Sequence, residues 1–128
     1  MHQLFVHAAL IGLAGAAGTL LRLGCTSLAT RMFGPGFPWG TLAVNAAGSF
    51  AFGAIMGWLR NRDASPGSVE MILLVGLLGG FTTYSSFAFQ SVELWDGGRP
   101  VAAAGYVVAT NVLAIAAAWA GLRTMAGT

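Results

Sequence analysis

The sequence predicts an all-α integral membrane protein with four transmembrane helices, and three observations carry that prediction. Only 8% of the 128 residues are charged and 56% are hydrophobic, where a soluble domain carries about 25% charged residues. Uncharged runs at 4–21, 41–59, 71–92 and 101–122 approach or exceed the roughly 20 residues a helix needs to cross the hydrocarbon of a bilayer. Charges and turn formers fall between these runs, at Gly34-Pro35-Gly36-Phe37-Pro38, Ser65-Pro66-Gly67 and Gly97-Gly98-Arg99-Pro100. A soluble fold of this size leaves roughly a third of its unfolded surface wet, so it could not hide this much apolar surface. A water-soluble enzyme, a disordered tail and a nucleic-acid binder are thereby excluded. The net charge of +2 comes from six arginines against four acids. A single cysteine, Cys25, allows no intrachain disulfide and no cysteine metal cluster.

The expected spans, about 4–23, 40–59, 70–94 and 100–122, form one transmembrane domain over 1–128. In the first, the small residues Ala14-Gly15-Ala16 resemble a signal-peptide cleavage site. The leading Met1-His2-Gln3 has no Lys or Arg, however, and the apolar run continues beyond the site, so a membrane helix is expected. Arg22 closes this run and shares a face with Gly15 and Thr19. It is either a snorkelling arginine or a fixed positive charge at the mouth of an anion path. The second span places Thr41, Asn45, Gly48, Ser49 and Phe52 on one helical face. An amide in hydrocarbon needs partners, so Asn45 points into protein or into a pathway.

The third span holds Gly79-Gly80-Phe81-Thr82-Thr83-Tyr84-Ser85-Ser86-Phe87 near its centre. Two glycines and four hydroxyls weaken a helix there, and the stretch reads as a break at mid-membrane, in competition with a helix continued by Ser and Thr back-bonding. Such a break is tolerated only where it is buried in protein or lines a wet cavity, and it exposes backbone groups that hold small ions. In the fourth span, Tyr106 and Thr110 lie at i, i+4 with Asn111 beside them. The polar groups of the spans are hydroxyl and amide donors, no carboxylate lies well inside a span, and aromatic rings with positive edges interleave with them. A small, strongly hydrated anion suits such a path. No enzyme is expected, because Cys25, His7 and Ser85 have no sequence-local base.

Arginines divide almost evenly between the two sides: Arg60, Arg62 and Arg123 on one, Arg31 and Arg99, with Arg22, on the other. So weak a positive-inside bias permits insertion in either direction and an antiparallel homodimer of both topologies. Dense glycine and alanine faces favour close helix approach and predict oligomerisation.

The motifs Gly40-Thr41-Leu42-Ala43-Val44-Asn45-Ala46-Ala47-Gly48-Ser49 and Gly79-Gly80-Phe81-Thr82-Thr83-Tyr84-Ser85-Ser86-Phe87, with Gly15 and Gly18-Thr19-Leu20-Leu21-Arg22, resemble the Fluc (CrcB) fluoride channel family over essentially the whole chain. The resemblance implies a four-helix subunit in an antiparallel, dual-topology homodimer with two narrow pores. It implies passive, selective export of fluoride across the cell inner membrane of a bacterium, conferring fluoride resistance, with no nucleic acid or protein substrate. It also implies a structural sodium ion (Na+) at the dimer interface, held by the backbone carbonyls of Gly79 and Thr82. By the same resemblance Asn45 donates to fluoride, Tyr84 and Phe87 are the paired rings, and Ser85 and Ser86 are the adjoining hydroxyls. Tyr106 and Thr110 match the fourth-helix polar track, and Arg22 the first-helix arginine, a vestibule charge. This chain departs from the family pattern at Tyr84, where Phe is usual, at Gln90, where a glutamate is common, and at Ala114, where relatives can carry a hydroxyl. A small dual-topology multidrug exporter is a rival reading, but it would need a carboxylate in the first span, and none is present. A purely structural membrane subunit, the other rival, needs no donor-lined path.

Overall fold

A computed structural model describes residues 1–126, and its helices follow in order. α1 spans His2–Phe33, α2 Trp39–Arg60 and α6 Pro100–Met125. The third crossing is composite: α3 (Ser68–Met71), a π-helical stretch (Ile72–Leu78), α4 (Gly79–Phe81), two extended residues, and α5 (Tyr84–Asp96). Four crossings are long and apolar enough to span a membrane, as expected for a multi-pass membrane protein.

α1 runs ten residues beyond its expected end at position 23. A charge ends an apolar run but not a helix, since arginine is a good helix former. The stop comes at Gly34, whose φ of 79° leaves the right-handed region and whose N–H donates to Thr30 O at 2.9 Å; Pro35 follows. Arg22 therefore lies well inside α1. Arg31, Arg60 and Arg123 occupy the last turns of α1, α2 and α6, where a cation suits the negative end of the helix dipole.

The break falls inside the expected stretch, at its threonines and not at its glycines. Gly79 is helical, at φ −62° and ψ −37°, and the interruption falls on Thr82 (φ −83°, ψ 158°) and Thr83 (φ −152°, ψ 116°). Gly80 serves close packing instead: a Cβ there would collide with the Gly15 carbonyl of α1. The threonines break the helix because their side chains and neighbours supply the hydrogen bonds that the ladder loses.

α2 and α6 form the most extensive helix pair. Their backbones meet so closely that a Cβ at Gly121 would strike the Phe50 carbonyl, and one at Gly53 the Ala118 carbonyl. Close approach of this kind drives association where lipid is as apolar as the helices. The buried cluster of Phe87, Leu94, Ala103 and Tyr106, covered by Phe37, Leu42 and Ala102, joins α5 to α6. α1 buries only Gly18, and Leu4, Phe5, Leu13, Leu20 and Leu28 stand outward.

Candidate functional site

At the break, each backbone group released by the interruption has to find a new partner or remain open. In a continuous helix the Thr83 N–H would close onto Gly79 O, the Tyr84 N–H onto Gly80 O, and the Ser86 N–H onto Thr82 O. Here the Thr83 N–H donates to Asn45 Oδ1 at 2.8 Å, and Asn45 Nδ2 donates back to Thr83 O at 3.0 Å. The Asn45 amide thus clamps one residue of the break through both its polar atoms, as a neighbouring strand would. The Ser86 N–H donates to Thr83 Oγ1 at 3.2 Å, an N-cap for α5, and Thr83 Oγ1 donates to Ser86 Oγ at 3.0 Å. Gly80 O accepts from Arg22 Nε at 3.1 Å and from Thr19 Oγ1 at 3.5 Å. The guanidinium therefore caps the carbonyl end of the upper half-helix, where the helix dipole is negative. The carbonyls of Gly79 and Thr82 have lost their intrahelical donors to Asn45 and Thr83.

Beside the break lies a cavity of about 410 Å³ whose wall includes Asn45, Gly79, Thr82, Thr83, Tyr84, Phe87, Thr110 and Asn111. No carboxylate of the described residues lines it. Thr110 is 6% exposed, and its Oγ1 has no hydrogen-bond partner among the described residues. A buried orphan hydroxyl is costly unless something in the cavity engages it. The Tyr84 and Phe87 rings stand 5.4 Å apart at 61°. Phe87 is buried, while Tyr84 is 76% exposed on the single chain.

Thr83 also lines a second cavity of about 240 Å³, with Thr19, Arg22, Thr26, Thr41, Ser86 and Gln90. Gln90 in turn lines a third, of about 370 Å³, whose rim carries Arg99 and Glu93 between the α1–α2 and α5–α6 connections. An Arg99 Nη donates to the Gly36 carbonyl and ties those connections together. Polar side chains thus follow one another from the break towards one membrane face.

The expected residues divide accordingly. Asn45, Gly79, Thr82, Tyr84, Phe87 and Thr110 come together around the first cavity, and Arg22 and Ser86 around the second. Ser85 is exposed, lies 3.4 Å from Thr83 Oγ1, and lines neither. Tyr106 is fully buried and outside both walls. Its hydroxyl donates to Gln90 Oε1 at 2.9 Å, and its ring packs edge-on against Phe37 and tilted against Phe87, each at 5.3 Å. It engages Oε1 of the Gln90 amide and leaves the two N–H donors of Nε2 free of that contact, on a residue that lines the second and third cavities. Sequence reasoning missed Thr83, the residue common to two cavities and partner to Asn45 and Ser86. Its signal was a threonine directly before a helical Tyr-Ser-Ser, an N-cap pattern. Gln90 was visible only as a departure.

A model of the family described as CrcB-like protein, Camphor Resistance (CrcB), matches residues 9–122. A protein of Rhizobium leguminosarum bv. trifolii is 40% identical over 120 residues, covering 94% of this chain and 96% of its own. One of Paracoccus denitrificans is 44% identical over 117 residues, covering 91% and 92%. One of Anaeromyxobacter dehalogenans is 43% identical over 121 residues, covering 92% and 96%. All three bear the name fluoride-specific ion channel FluC.

Proposed function

The chain belongs to the CrcB family, and on that premise we propose that it is a fluoride channel, passively exporting fluoride from the cytoplasm across the bacterial inner membrane. The observation that carries the proposal is the cavity at the break, lined by hydroxyls, amides and aromatic rings, with a buried Thr110 hydroxyl that has no hydrogen-bond partner, and no carboxylate, among the described residues. Fluoride must exchange a tight hydration shell for protein donors. Closely set O–H and N–H groups do that for the smallest halide and fit chloride poorly, by spacing and field strength. Arg22 adds a positive charge to the adjoining cavity, its Nε already fixed on Gly80 O. Purified protein in liposomes is expected to discharge a fluoride gradient, read with a fluoride electrode, when an ionophore balances charge. Equal chloride flux, or a requirement for a proton gradient, overturns the proposal.

The active unit in this proposal is an antiparallel homodimer. The even arginine count and the open side of the cavity, where Tyr84 stands three-quarters exposed, support it. Three lysines added at the C-terminus should bias insertion and abolish flux when that variant is expressed alone, and an oppositely biased partner should restore it. Full flux from the biased variant alone overturns the arrangement.

The proposal includes a structural sodium ion between the two breaks. The donor chemistry fits: the carbonyls of Gly79 and Thr82 are hard oxygens whose helical donors are engaged elsewhere. Bound there, sodium would supply positive charge and bridge the chains. Dimers assembled in sodium should outlast those assembled in a large organic cation on thermal challenge; equal survival argues against the ion.

A further inference from the structure

The cavities beside the break change in character towards the membrane face. The first two are walled by residues of the crossings. The third, of about 370 Å³, takes part of its wall from the chain connections, through Pro35 and Gly36 between α1 and α2 and Arg99 between α5 and α6. Charge of both signs enters there as well, because Arg99 and Glu93 line this cavity together and both residues are exposed. Arg99 is held on the wall at two points. One Nη donates to the Gly36 carbonyl, and the Arg99 backbone N–H donates to Leu94 O at 3.0 Å; Gly36 and Leu94 line the same cavity. Glu93 lies in the last turn of α5, where its carbonyl accepts the Gly97 N–H at 2.9 Å. Gln90, one turn earlier on the same helix face, lines both this cavity and the second, which Arg22 also lines.

We propose that the third cavity is the aqueous entrance of the anion path, and that Arg99 and Glu93 set its throughput in opposite directions. Arg99 concentrates small anions at the entrance, and Glu93 opposes them. The inference rests on the fluoride-channel reading and names two residues that act on the ion before it reaches the donors of the break. A fixed charge on a concave wall acts on an ion more strongly than the same charge on an open surface, because the low-dielectric walls focus its field. In a cavity of this size both charges lie within a Debye length of an ion inside it, about 10 Å at 0.1 M salt. The guanidinium tie to Gly36 keeps the positive charge on the wall, so it serves as a fixed field and not as a swinging arm.

Initial fluoride flux from liposomes, at fluoride below saturation and with a large organic sulfonate salt setting the ionic strength to about 0.1 M, tests the assignment. Glu93→Gln should raise the flux by about twofold and Arg99→Gln should lower it by about the same factor, the scale of one charge a few ångströms away in a watery site. Arg99→Lys keeps the charge and should conduct as the wild type does. Arg31→Gln removes a charge from the last turn of α1 that does not line the cavity, and should leave the flux unchanged. Both shifts should shrink in about 1 M salt, where the Debye length falls to about 3 Å. The rise in Glu93→Gln keeps the test decisive even if Arg99→Gln assembles poorly, since damage to the fold does not raise flux. The inference is overturned if the wild type conducts fluoride and Glu93→Gln does not exceed it, if the shifts persist undiminished at high salt, or if Arg31→Gln falls as far as Arg99→Gln. Absence of fluoride flux from the wild type is a different result, and overturns the functional proposal beneath this one.

Discussion

The α2–α6 pair and the break in the third crossing lie side by side, yet they are held by opposite means. α2 and α6 meet backbone to backbone through Gly53, Gly57 and Gly121, so their stability comes from dispersion across a surface with no room to move. The break is held by side-chain hydrogen bonds: Asn45 on Thr83, Arg22 and Thr19 on Gly80 O, Thr83 on Ser86. Gly48 links the two regions, because a Cβ there would collide with the Thr82 methyl. The contrast shows how a membrane protein keeps polar backbone inside the bilayer. One surface is packed tight enough to act as a wall, and side chains mounted on that wall and on α1 replace the missing ladder bonds.

Substitutions separate the two regions, from the largest expected effect to the smallest. Gly121→Val forces a branched side chain against the Phe50 carbonyl and should cost about 3 kcal/mol or prevent folding; loss of the monodisperse peak in detergent gel filtration checks it. Asn45→Asp keeps an acceptor for the Thr83 N–H but deprives Thr83 O of its donor and puts a charge on the cavity wall. Flux should fall by roughly thirtyfold, the equivalent of about 2 kcal/mol for an orphaned buried group, while gel filtration still shows the assembled protein. Normal flux in that variant would make Asn45 a packing residue only.

Arg22→Gln tests the cap against the charge. Glutamine still donates a hydrogen bond to Gly80 O but carries no cation, so folding should hold while flux falls by roughly fivefold, about 1 kcal/mol of attraction. A fall in thermal stability as large as that of Arg22→Leu would show that the charge serves the half-helix and not the anion. The smallest expected stability effect is at Thr110. Its hydroxyl has no hydrogen-bond partner among the described residues, so Thr110→Val should leave the melting temperature unchanged or slightly raised. A flux defect in that variant, reversed in Thr110→Ser, would assign the hydroxyl to the permeating ion.

The stretch that breaks was legible in the sequence, but which of its residues leave the helix was not. Two glycines and four serine or threonine residues among nine mark a weak helix. Which residue leaves the helix depends on which partner reaches it, and the partner of Thr83 is Asn45, 38 positions away. Gly79 and Gly80 read as the weak point by propensity; contact with α1 keeps Gly80 helical. Arg22 read as a helix end because a charge closed an apolar run, although α1 continues to Phe33. Of the polar residues placed on helix faces, Asn45 and Thr110 reach the first cavity, whereas Tyr106 lies in the apolar cluster with its hydroxyl on Gln90. Spacing alone does not distinguish those two surroundings.

By itself, the sequence determined that this chain crosses a membrane four times, that its third crossing is weak at the centre, and that its buried polar groups are donors. Those properties follow from local composition and span length, which the bilayer reads one segment at a time. Only the tertiary structure decided that Thr82 and Thr83 form the break, that Arg22 and Asn45 serve its two ends, and that Thr83 and Gln90 join the cavities. Each of these is a contact between residues distant in the chain, set by how closely glycine-bearing helices approach, and no property of either residue alone specifies it.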